Sequence, residues 1–474
     1  EGLIGFYYKL KGYKVYAIMC NQSVPYCENI THRDEKKRNE ICALCLKEQK
    51  RFCSTFNIEP LNIDSFITDQ DEQDINSHIS SFAKFDEAML SFRGIKLQKH
   101  VYSAVTRYTL RSEIKFDADL ELIKGFLRTA ALCQIASFRI FNSISCNHLI
   151  MSHGIYSTWG TILEAARIKM IPAYVWARGY VGQGNLLFGQ NMSYLEDLIL
   201  EDKKVYQPFI YSAQDLNHAD KYFLAKRDKS LSIEYVNYYS NINSNPSSLE
   251  KFLTKNPKIR DGKIFGMFTN IPWDGQIFNQ TKGFPNTRIY IKSVINWFRK
   301  NLDCHLFIRI HPAEVDREEG NGSEKFIDVL FSCFEKLPPN IILIHADSPI
   351  SSYDLFGLID AAIVYGSSMG LELAIAGIPV IQAGNFYTSN KNIVLEAKNT
   401  QILFEYLDQV KSGDLSMSET EKLNSKKFGY YWIYKRHIPD TSVILKNLIF
   451  ESFGFNSIEE FENNSTFDLI FNRI

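Results

Sequence analysis

The chain has 474 residues, of which 45% are hydrophobic and 23% are charged. That is enough apolar material for two domains, because single cores stop growing near about 250–300 residues. Its 53 Lys and Arg residues balance 54 Asp and Glu residues, which excludes a global field that would attract nucleic acid or an anionic membrane. No apolar run reaches the roughly 18–20 residues of a membrane-spanning helix. We therefore expect a soluble, cytoplasmic protein in which any anion site is local.

The first 145 residues are predicted to be mainly helical. An apolar run at 15–19 is typical of a strand, a charged helical pattern covers 36–56, and several helices with short polar breaks follow over 62–145. The chain starts without Met, in a helix-like pattern that leads directly into the first strand. We therefore expect an upstream piece to precede residue 1.

Cysteines are concentrated near the N-terminus, at Cys20, Cys27, Cys42, Cys45 and Cys53. The C-x-x-C pair Cys42 and Cys45 would place two thiolates within reach of one ion, and Cys20, Cys27 or Cys53 would complete a tetrahedral set, with His32 as a spare and Cys20 and Cys27 as the preferred pair. The spacing matches no standard zinc knuckle, so free thiols in a helical segment are the alternative. A structural zinc is one of two open interpretations.

Residues 148–176 have the pattern of a strand, a crossover helix and a second strand. The first strand covers 148–151 and the second covers 173–176, with a helix between them. A crossover helix is the usual way to join parallel neighbours, so a parallel sheet is predicted. His153 lies at the end of the first strand, and Glu164 lies on the helix.

We place a domain boundary near residue 250, because residues 177–260 have little periodicity and are rich in Gly, Asn, Ser and Tyr. The chain then divides into domains of residues 1–250 and 251–425, followed by helices over 426–474 that return to the first domain. Strands alternate with helices in the second domain, which indicates a doubly wound parallel sheet. The predicted strands are 263–268, 305–310, 341–345, 361–365 and 378–382, and the predicted helices are 287–301, 323–336, 351–359, 368–376 and 397–411.

Polar and basic side chains follow the first two strands of the second domain. Asn270 and Asp274 follow the first strand, Arg309 lies near the end of the second, and His311 and Pro312 follow it. Ligands bind beyond the carboxyl ends of such strands, so we expect these side chains to share one surface. Arg309 and His311 would form a cationic wall for an anion, and Pro312 would fix the backbone after the imidazole.

A serine pair, Ser367 and Ser368, lies between a predicted strand and a predicted helix. Hydroxyls and free N–H groups at a positive helix terminus favour a phosphate oxygen. Glu372, one turn inside the helix, could reach ribose hydroxyls. The alternative is a serine N-cap with ordinary packing glycines. Combined with the His-Pro loop, the serine pair predicts a site for a diphosphate or phosphodiester.

Two common nucleotide motifs are missing from the sequence. There is no G-x-G-x-x-G and no G-x-x-x-x-G-K-[ST]. Two Rossmann-like halves without the first motif argue against a dinucleotide-dependent oxidoreductase.

The segments FIRIHPAE (307–314) and YGSSMGLELAIAGIPVIQAGNFY (365–387) resemble the C-terminal half of bacterial capsule polysaccharide glycosyltransferases. This group of the GT-B fold includes Kdo transferases and polysialyltransferases, and its His-Pro and Ser-Ser motifs hold the nucleotide phosphate of the donor. The segment SHGIYSTWG (152–160) resembles the acceptor-side loop of the same group. The resemblance gives phosphate binding to His311, Pro312, Ser367 and Ser368, and a ribose contact to Glu372.

The resemblance implies an α/β protein of the GT-B type, with two Rossmann-like domains and an interdomain cleft. It implies transfer of a sugar from a nucleotide-sugar, with CMP-linked donors favoured, to a saccharide or glycolipid acceptor in capsule, lipopolysaccharide or other surface glycan synthesis. No catalytic metal would be required. Such an enzyme would be cytoplasmic, peripheral to the inner face of the plasma membrane, where glycan-assembly machinery would be its partner.

An inverting transferase also needs a base that deprotonates the acceptor hydroxyl. His153 is the first candidate, because an imidazole has an ordinary pKa of about 6.5, and Glu164 is the second. A plain loop or capping role for His153 is the alternative, and a retaining enzyme would need no such base.

Three other functions fit the same motifs. A nucleotide-sugar epimerase of the same fold would act on the donor alone, and a polyol-phosphate transferase of the teichoic-acid kind would need a CDP-polyol. A non-catalytic scaffold of capsule assembly would bind no nucleotide.

Overall fold

The computed structural model describes residues 1–181, 184–227, 246–255, 261–273, 280–315, 323–446, 449–464 and 466–472. The chain forms two compact units, of which unit 1 comprises Glu1–Asp197 and His437–Ile474 and unit 2 comprises Leu198–Arg436. The division therefore falls at residue 197 rather than near residue 250, because the poorly periodic stretch contributes a strand to unit 1 and two helices to unit 2.

The N-terminal part of unit 1 contains a helical layer and a small sheet. Its elements are α1 (Gly2–Leu10), β1 (Tyr16–Met19), α2 (Arg38–Phe56), β2 (Glu59–Asn62), α3 (Asp69–Ser80), β3 (Ser91–Phe92), β4 (Ile95–Lys96), α4 (Gln98–Thr109), α5 (Leu120–Ser143), β5 (Leu149–Ser152), α6 (Trp159–Ile168), β6 (Ala173–Arg178), β7 (Asn185–Gln190) and α7 (Tyr194–Leu200). The predicted helices over 36–56 and 62–145 are confirmed in outline.

The unit 1 sheet has the order β14-β7-β6-β5, in which β14 (Ile438–Pro439) comes from the C-terminal segment. Strands β5 and β6 pair in parallel, which confirms the predicted β-α-β unit, and β6 pairs with β7 in antiparallel fashion. The sequence did not predict β7, because its short apolar core lies between glycines. Helix α5 buries Cys133, Ala136 and Ile140 in the same cluster as Leu149 and Val175, and so covers the sheet.

Unit 2 is a doubly wound α/β unit. Its elements are α8 (Ala213–Arg227), α9 (Pro246–Lys255), β8 (Ile264–Phe268), α10 (Thr287–Lys300), β9 (His305–Arg309), α11 (Phe326–Cys333), β10 (Ile341–Ile344), β11 (Ala361–Val364), α12 (Met369–Ile375), β12 (Val380–Gln382), β13 (Leu395–Glu396), α13 (Thr400–Ser412) and α14 (Glu419–Tyr431). All five predicted strands are present, which confirms the α/β fold class.

The unit 2 sheet has six strands in the order β10-β9-β8-β11-β12-β13, and every pairing is parallel. Phe265 and Met267 lie in one apolar cluster and Phe268 lies in the other, so the sheet is covered on both faces. The chain starts at β8 in the middle, runs outward through β9 and β10, and then resumes on the other side with β11. This reversal is the topological switch point of the sheet.

The predicted helix over 351–359 is wrong, because only one 3-10 turn forms there, at Tyr353–Leu355. The main-chain N–H of Ser351 donates to the Asp354 carboxylate at 2.7 Å, and the Asp354 N–H donates to the Ser351 hydroxyl at 3.2 Å. These two bonds close a single turn before the chain enters β11.

The C-terminal segment returns to unit 1 at His437. Helix α14 continues as a π-helical turn over Trp432–Arg436. The remaining elements are β14 (Ile438–Pro439), β15 (Val443–Lys446), β16 (Ile449–Phe453), α15 (Ile458–Glu462) and α16 (Asp468–Asn472). The tail packs on α1, where the Tyr8 hydroxyl donates to the Phe467 carbonyl at 2.6 Å. The segment 426–474 is therefore a mixture of helix and strand rather than helices alone. No helix in the described ranges is long and apolar enough to cross a membrane.

Candidate functional site

The carboxyl-terminal edge of the unit 2 sheet collects the residues that were predicted to bind the donor. Strands β9 and β11 both pair with β8. The loop after β8, with Thr269 and Asn270, is therefore flanked by the His311 loop on one side and the Ser367 loop on the other. Asn270 is partly buried, and Asp274 lies outside the described residues. Ligands of doubly wound sheets bind at such a switch point.

The His311 ring is held by its own loop. The main-chain N–H of His311 donates to the Thr269 hydroxyl at 2.8 Å, and the Ala313 N–H donates to His311 Nδ1 at 3.1 Å. Pro312 is the first residue of the 3-10 turn Pro312–Glu314, as its fixed φ favours. Because Nδ1 accepts a hydrogen bond, a neutral His311 carries its proton on Nε2.

The pKa of His311 is lowered to about 4, first by burial and then by the positive charge of Arg309. The imidazole is therefore neutral at neutral pH. The predicted cationic wall is corrected at His311, because its ring carries no positive charge.

Arg309 lies deeper than the sequence suggests. Its side chain is only 1% exposed, and Nη1 donates to the main-chain carbonyls of Ile310, at 3.1 Å, and of His345. Burial follows from its position as the last residue of β9, which is covered on both faces. Arg309 therefore brings a fixed charge beneath the loop.

The serine pair is partly exposed at the start of α12. The Ser367 hydroxyl accepts the Met369 N–H at 3.3 Å. Ser368 has helical dihedrals, φ −58° and ψ −27°, and its side chain makes no cap bond to the described part of α12. The Ser367 hydroxyl is therefore a weak N-cap of α12, and the Ser368 hydroxyl does not cap the helix.

Glu372 is 4% exposed, and one of its carboxylate oxygens, Oε2, accepts the Tyr353 hydroxyl at 2.6 Å. The predicted ribose contact would have to use the other oxygen of this carboxylate. Sequence reasoning missed Tyr353, because a helix was predicted across it and a helical pattern does not reveal which side chain reaches α12.

Tyr353→Phe should lower the free energy of unfolding by about 1.5–3 kcal/mol, because a buried carboxylate would lose a charge-assisted hydrogen bond. Urea denaturation measures the change. Tyr406→Phe, on α13, is the matched control and should cost less than about 0.5 kcal/mol. Equal losses in the two variants would contradict this role of Tyr353.

In unit 1, His153 lies at the carboxyl-terminal edge of the sheet in a left-handed conformation, with φ at 53°. Its N–H donates to the Trp176 carbonyl at 2.9 Å, and Nδ1 is hydrogen-bonded to the Ser152 hydroxyl. The ring stacks on Trp159 with centroids 5.1 Å apart and planes 17° apart. A non-glycine residue in this conformation is uncommon and often marks a functional loop.

The pKa of His153 is lowered to about 4 by burial, and then by the positive charges of Arg107 and Arg178. The ring is neutral at neutral pH and so is able to accept a proton. Sequence reasoning missed both arginines. Arg178 is the last residue of β6, a position that the sequence pattern could have revealed. Arg107 lies on α4, which is distant in sequence, so no local pattern relates it to His153.

The Glu164 carboxylate is engaged by Arg167 and His100. Its carboxylate lies 2.9 Å from Arg167 Nη1 and 3.5 Å from Nε2 of the buried His100. Burial would raise the pKa of Glu164, but the hydrogen bond and charge of His100, with Arg167, lower it overall. Glu164 is therefore ionised and ties α6 to α4.

The N-terminal cysteines are all free thiols. Cys42 and Cys45 lie on α2, and the Cys45 sulfur accepts the Gln49 side-chain N–H at 3.3 Å. Burial raises the pKa of the Cys20 and Cys27 thiols. Across the described ranges, no three His, Cys, Asp or Glu side chains are grouped so that they could hold a metal ion, so this geometry gives the zinc hypothesis no support.

No protein-family model matches the chain, and no curated protein is similar to it in sequence. Among solved structures, the beta Kdo 2,7 transferase KpsC of Thermosulfurimonas dismutans is similar over 72% of this chain and 89% of its own, with 13% identity and a TM-score of 0.38. The beta Kdo 2,4 transferase KpsC of that organism is similar over 57% and 76%, with 13% identity and a TM-score of 0.33. The UDP-GlcNAc 2-epimerase of Neisseria meningitidis is similar over 65% and 78%, with 14% identity and a TM-score of 0.23. The residues at the two sheet edges, rather than these likenesses, therefore carry the functional proposal.

Proposed function

We propose that this chain is a glycosyltransferase that moves a sugar from a nucleotide-sugar to a saccharide acceptor. The observation that carries the proposal is the switch point of unit 2, where His311, bonded to Thr269, and the Ser367–Ser368 pair flank β8. A crevice with an imidazole N–H and hydroxyls fits the phosphoryl oxygens of a nucleotide. The resemblance of the two segments to capsule polysaccharide glycosyltransferases supports the same function.

The unit 2 edge would stabilise the leaving nucleotide. As the bond to the sugar breaks, negative charge grows on the phosphate, and donors fixed in advance lower the energy of that state. His311 Nε2–H and the serine hydroxyls would supply the hydrogen bonds, and Arg309 would add its charge from beneath. Glu372, oriented by Tyr353, would contact the ribose, and Asn270 and Asp274 remain predicted donor contacts.

The unit 1 edge would hold the acceptor. His153 is the proposed base in an inverting reaction, because it is neutral and fixed by Ser152 and Trp159. Glu164 is not proposed as a base, since His100 and Arg167 already hold its carboxylate.

The wider proposal follows the resemblance. We infer a GT-B-type enzyme with two Rossmann-like domains, a CMP-linked donor, and a role in capsule, lipopolysaccharide or other surface glycan synthesis. We also infer a metal-independent reaction at the cytoplasmic face of the membrane, with a saccharide or glycolipid acceptor.

Calorimetry with CMP, UDP, GDP and their sugars tests the proposal. One nucleotide series should bind, and the double variant Ser367→Ala/Ser368→Ala should lower its affinity by roughly 10–100-fold, because hydrogen bonds to a charged phosphate are lost. Ser412→Ala, at the end of α13, is the control and should leave affinity unchanged. Absence of nucleotide binding would sink the proposal and favour a scaffold.

Sugar analysis separates the remaining enzymes. A transferase should leave the donor sugar unchanged when no acceptor is present, whereas an epimerase would invert a carbon of it. Binding of a CDP-polyol alone would favour the polyol-phosphate transferase instead.

A further inference from the structure

A buried carboxyl group reaches the end of the loop that carries His153. Glu28 is 3% exposed, and its Oε1 accepts the hydroxyl of Thr158, which lies 130 residues further along the chain. Burial raises the pKa of the Glu28 carboxyl, and the Thr158 hydroxyl and the main-chain N–H groups of Glu28, Thr158 and Trp159 oppose that rise. The carboxyl group therefore stands at the N-terminus of α6, where the helix dipole favours a negative charge.

This contact replaces the usual cap of α6. Thr158 is the N-cap residue, and a threonine at that position commonly caps the helix with its own hydroxyl. Thr158 has helical dihedrals instead, φ −82° and ψ −69°, and its side chain makes no cap bond to α6, which the structure describes in full. A buried carboxyl group is costlier than a hydroxyl cap, and departures from local rules of this kind are expected at functional sites.

The segment before Glu28 is anchored to α5. The Tyr26 N–H donates to the Thr129 hydroxyl at 3.3 Å, and that hydroxyl donates to the Tyr26 carbonyl at 2.8 Å. Thr129 is fully buried on α5, the helix that covers the unit 1 sheet. The Glu28 carboxyl is therefore held by the core of unit 1 and not by a free loop.

Trp159 connects this contact to His153. It is the first residue of α6, and its indole stacks on the His153 imidazole with centroids 5.1 Å apart and planes 17° apart. The main-chain bond to the Trp176 carbonyl and the bond of Nδ1 to the Ser152 hydroxyl hold the backbone and one edge of the ring. The stack with Trp159 then fixes the plane of the ring, and the position of Trp159 depends on where α6 begins.

We propose that Glu28 is a positioning residue, which holds the N-terminus of α6 so that Trp159 orients the His153 imidazole toward the acceptor hydroxyl. This inference rests on the proposed function, in which His153 is the base. As a base, His153 would donate from Nδ1–H to the Ser152 hydroxyl oxygen and accept the proton at Nε2. Proton transfer needs the acceptor hydroxyl within hydrogen-bond reach of that nitrogen, and a displacement of about 1 Å can cost about 10²-fold in rate.

Two variants of the full chain remove the contact from either side, Glu28→Ala and Thr158→Val. Each should shift the imidazole signals of His153 in the NMR spectrum, because the ring current of Trp159 moves relative to them; His153→Asn assigns the signals. Each should also slow hydrolysis of the donor that calorimetry selects, with water in place of the acceptor, by about 10–100-fold. The dissociation constant of that donor should not change, because its proposed contacts all lie in unit 2.

Asp71→Asn is the matched control for a loss of stability. Asp71 is 2% exposed, and its carboxylate accepts the Thr68 hydroxyl at 2.7 Å at the start of α3, another helix of unit 1. This variant should lower the urea midpoint but leave the His153 signals and the rate of hydrolysis unchanged. Thr158→Ser keeps the hydroxyl and should recover most of the rate that Thr158→Val loses. Thr158→Val keeps the shape of the side chain, so it tests the contact even if Glu28→Ala fails to fold.

Unchanged His153 signals in Thr158→Val, or an equal loss of rate in Asp71→Asn, would overturn the inference. The two proposals fail separately. Donor binding and hydrolysis that persist unchanged in Glu28→Ala and Thr158→Val reject the positioning role and leave the transferase intact. Absence of donor binding in the natural protein rejects the transferase and, with it, the base that Glu28 would position.

Discussion

Replacing His311 by Ala should lower kcat/KM for the nucleotide-sugar by about 10²–10³-fold, the usual effect of removing one preorganised donor at a developing charge. In the proposed function the neutral ring would present Nε2–H to the phosphate, because Nδ1 accepts the Ala313 N–H at 3.1 Å. Steady-state kinetics with the donor identified by calorimetry measures the loss. Circular dichroism checks that the variant is folded.

Two substitutions separate the effect of the Nε2–H donor of His311, which would face the ligand, from that of the hydrogen bond at Nδ1, which holds the loop. The Gln side chain places an amide N–H near the Nε2 position, so His311→Gln should recover part of the activity. Asn is shorter and can accept the Ala313 N–H without reaching the ligand, so His311→Asn should be as poor as His311→Ala. The reverse order would show that the ring matters only for the loop.

The pH profile of donor binding gives an independent check. Because burial and Arg309 lower the pKa of His311 to about 4, its charge does not change between pH 6 and 9, and donor affinity should be flat there. An imidazolium with an ordinary pKa of about 6.5 would instead lose affinity as the pH rises through that value. Such a loss, absent from His311→Gln, would contradict the neutral donor.

The local sequence pattern was sufficient to predict most strands and helices of unit 2. Each of its five predicted strands is a short apolar run followed by a helical pattern, and the sheet buries both faces, so pattern and burial agree. The helix at 351–359 failed, because the Ser351–Asp354 bonds end the turn at once. Strand β7 was not predicted, because glycines interrupt its short apolar core, although it pairs with the preceding strand β6.

The sequence was sufficient to predict where the candidate site residues lie, but not their protonation or their charged neighbours. The order of strands and loops brings His311, Ser367 and Ser368 to one edge, and their sequence positions showed this. The protonation of His311 could not be predicted, because it depends on the burial of the ring, on the charge of Arg309 and on the Ala313 N–H. Arg107 was missed for a similar reason, since its proximity to His153 depends on how α4 docks.

The two edges have a common electrostatic design. In each unit an imidazole follows a strand, is kept neutral by burial, and lies within the field of arginine charge. A neutral ring can donate or accept a hydrogen bond without repelling the arginines, whereas an imidazolium would add a further positive charge. The hydrogen bond at Nδ1 fixes the orientation of each ring.

Between pH 5 and pH 8, the natural protein should lose about 4 kcal/mol of unfolding free energy that the Glu314→Gln variant does not lose. Glu314 is 8% exposed, both carboxyl oxygens lie 3.0–3.1 Å from the Phe326 N–H that they accept, and burial raises its pKa to about 8. The folded state therefore keeps a proton that the unfolded state releases near pH 4.3. Its stabilising contribution is complete below that pH and is lost as the pH rises through 8.

Urea denaturation at several pH values measures this effect as a difference between Glu314→Gln and the natural protein. The difference isolates Glu314, because Lys391, whose pKa burial lowers to about 8, changes both proteins alike. Glutamine cannot ionise but still offers an oxygen to the Phe326 N–H, so the slope between pH 5 and 8 should flatten. Glu335→Gln, at an exposed position, is the control and should keep the natural slope. Equal slopes in Glu314→Gln and the natural protein would mean that Glu314 is ionised in the fold, and that the loop after His311 carries a negative charge next to the proposed phosphate site.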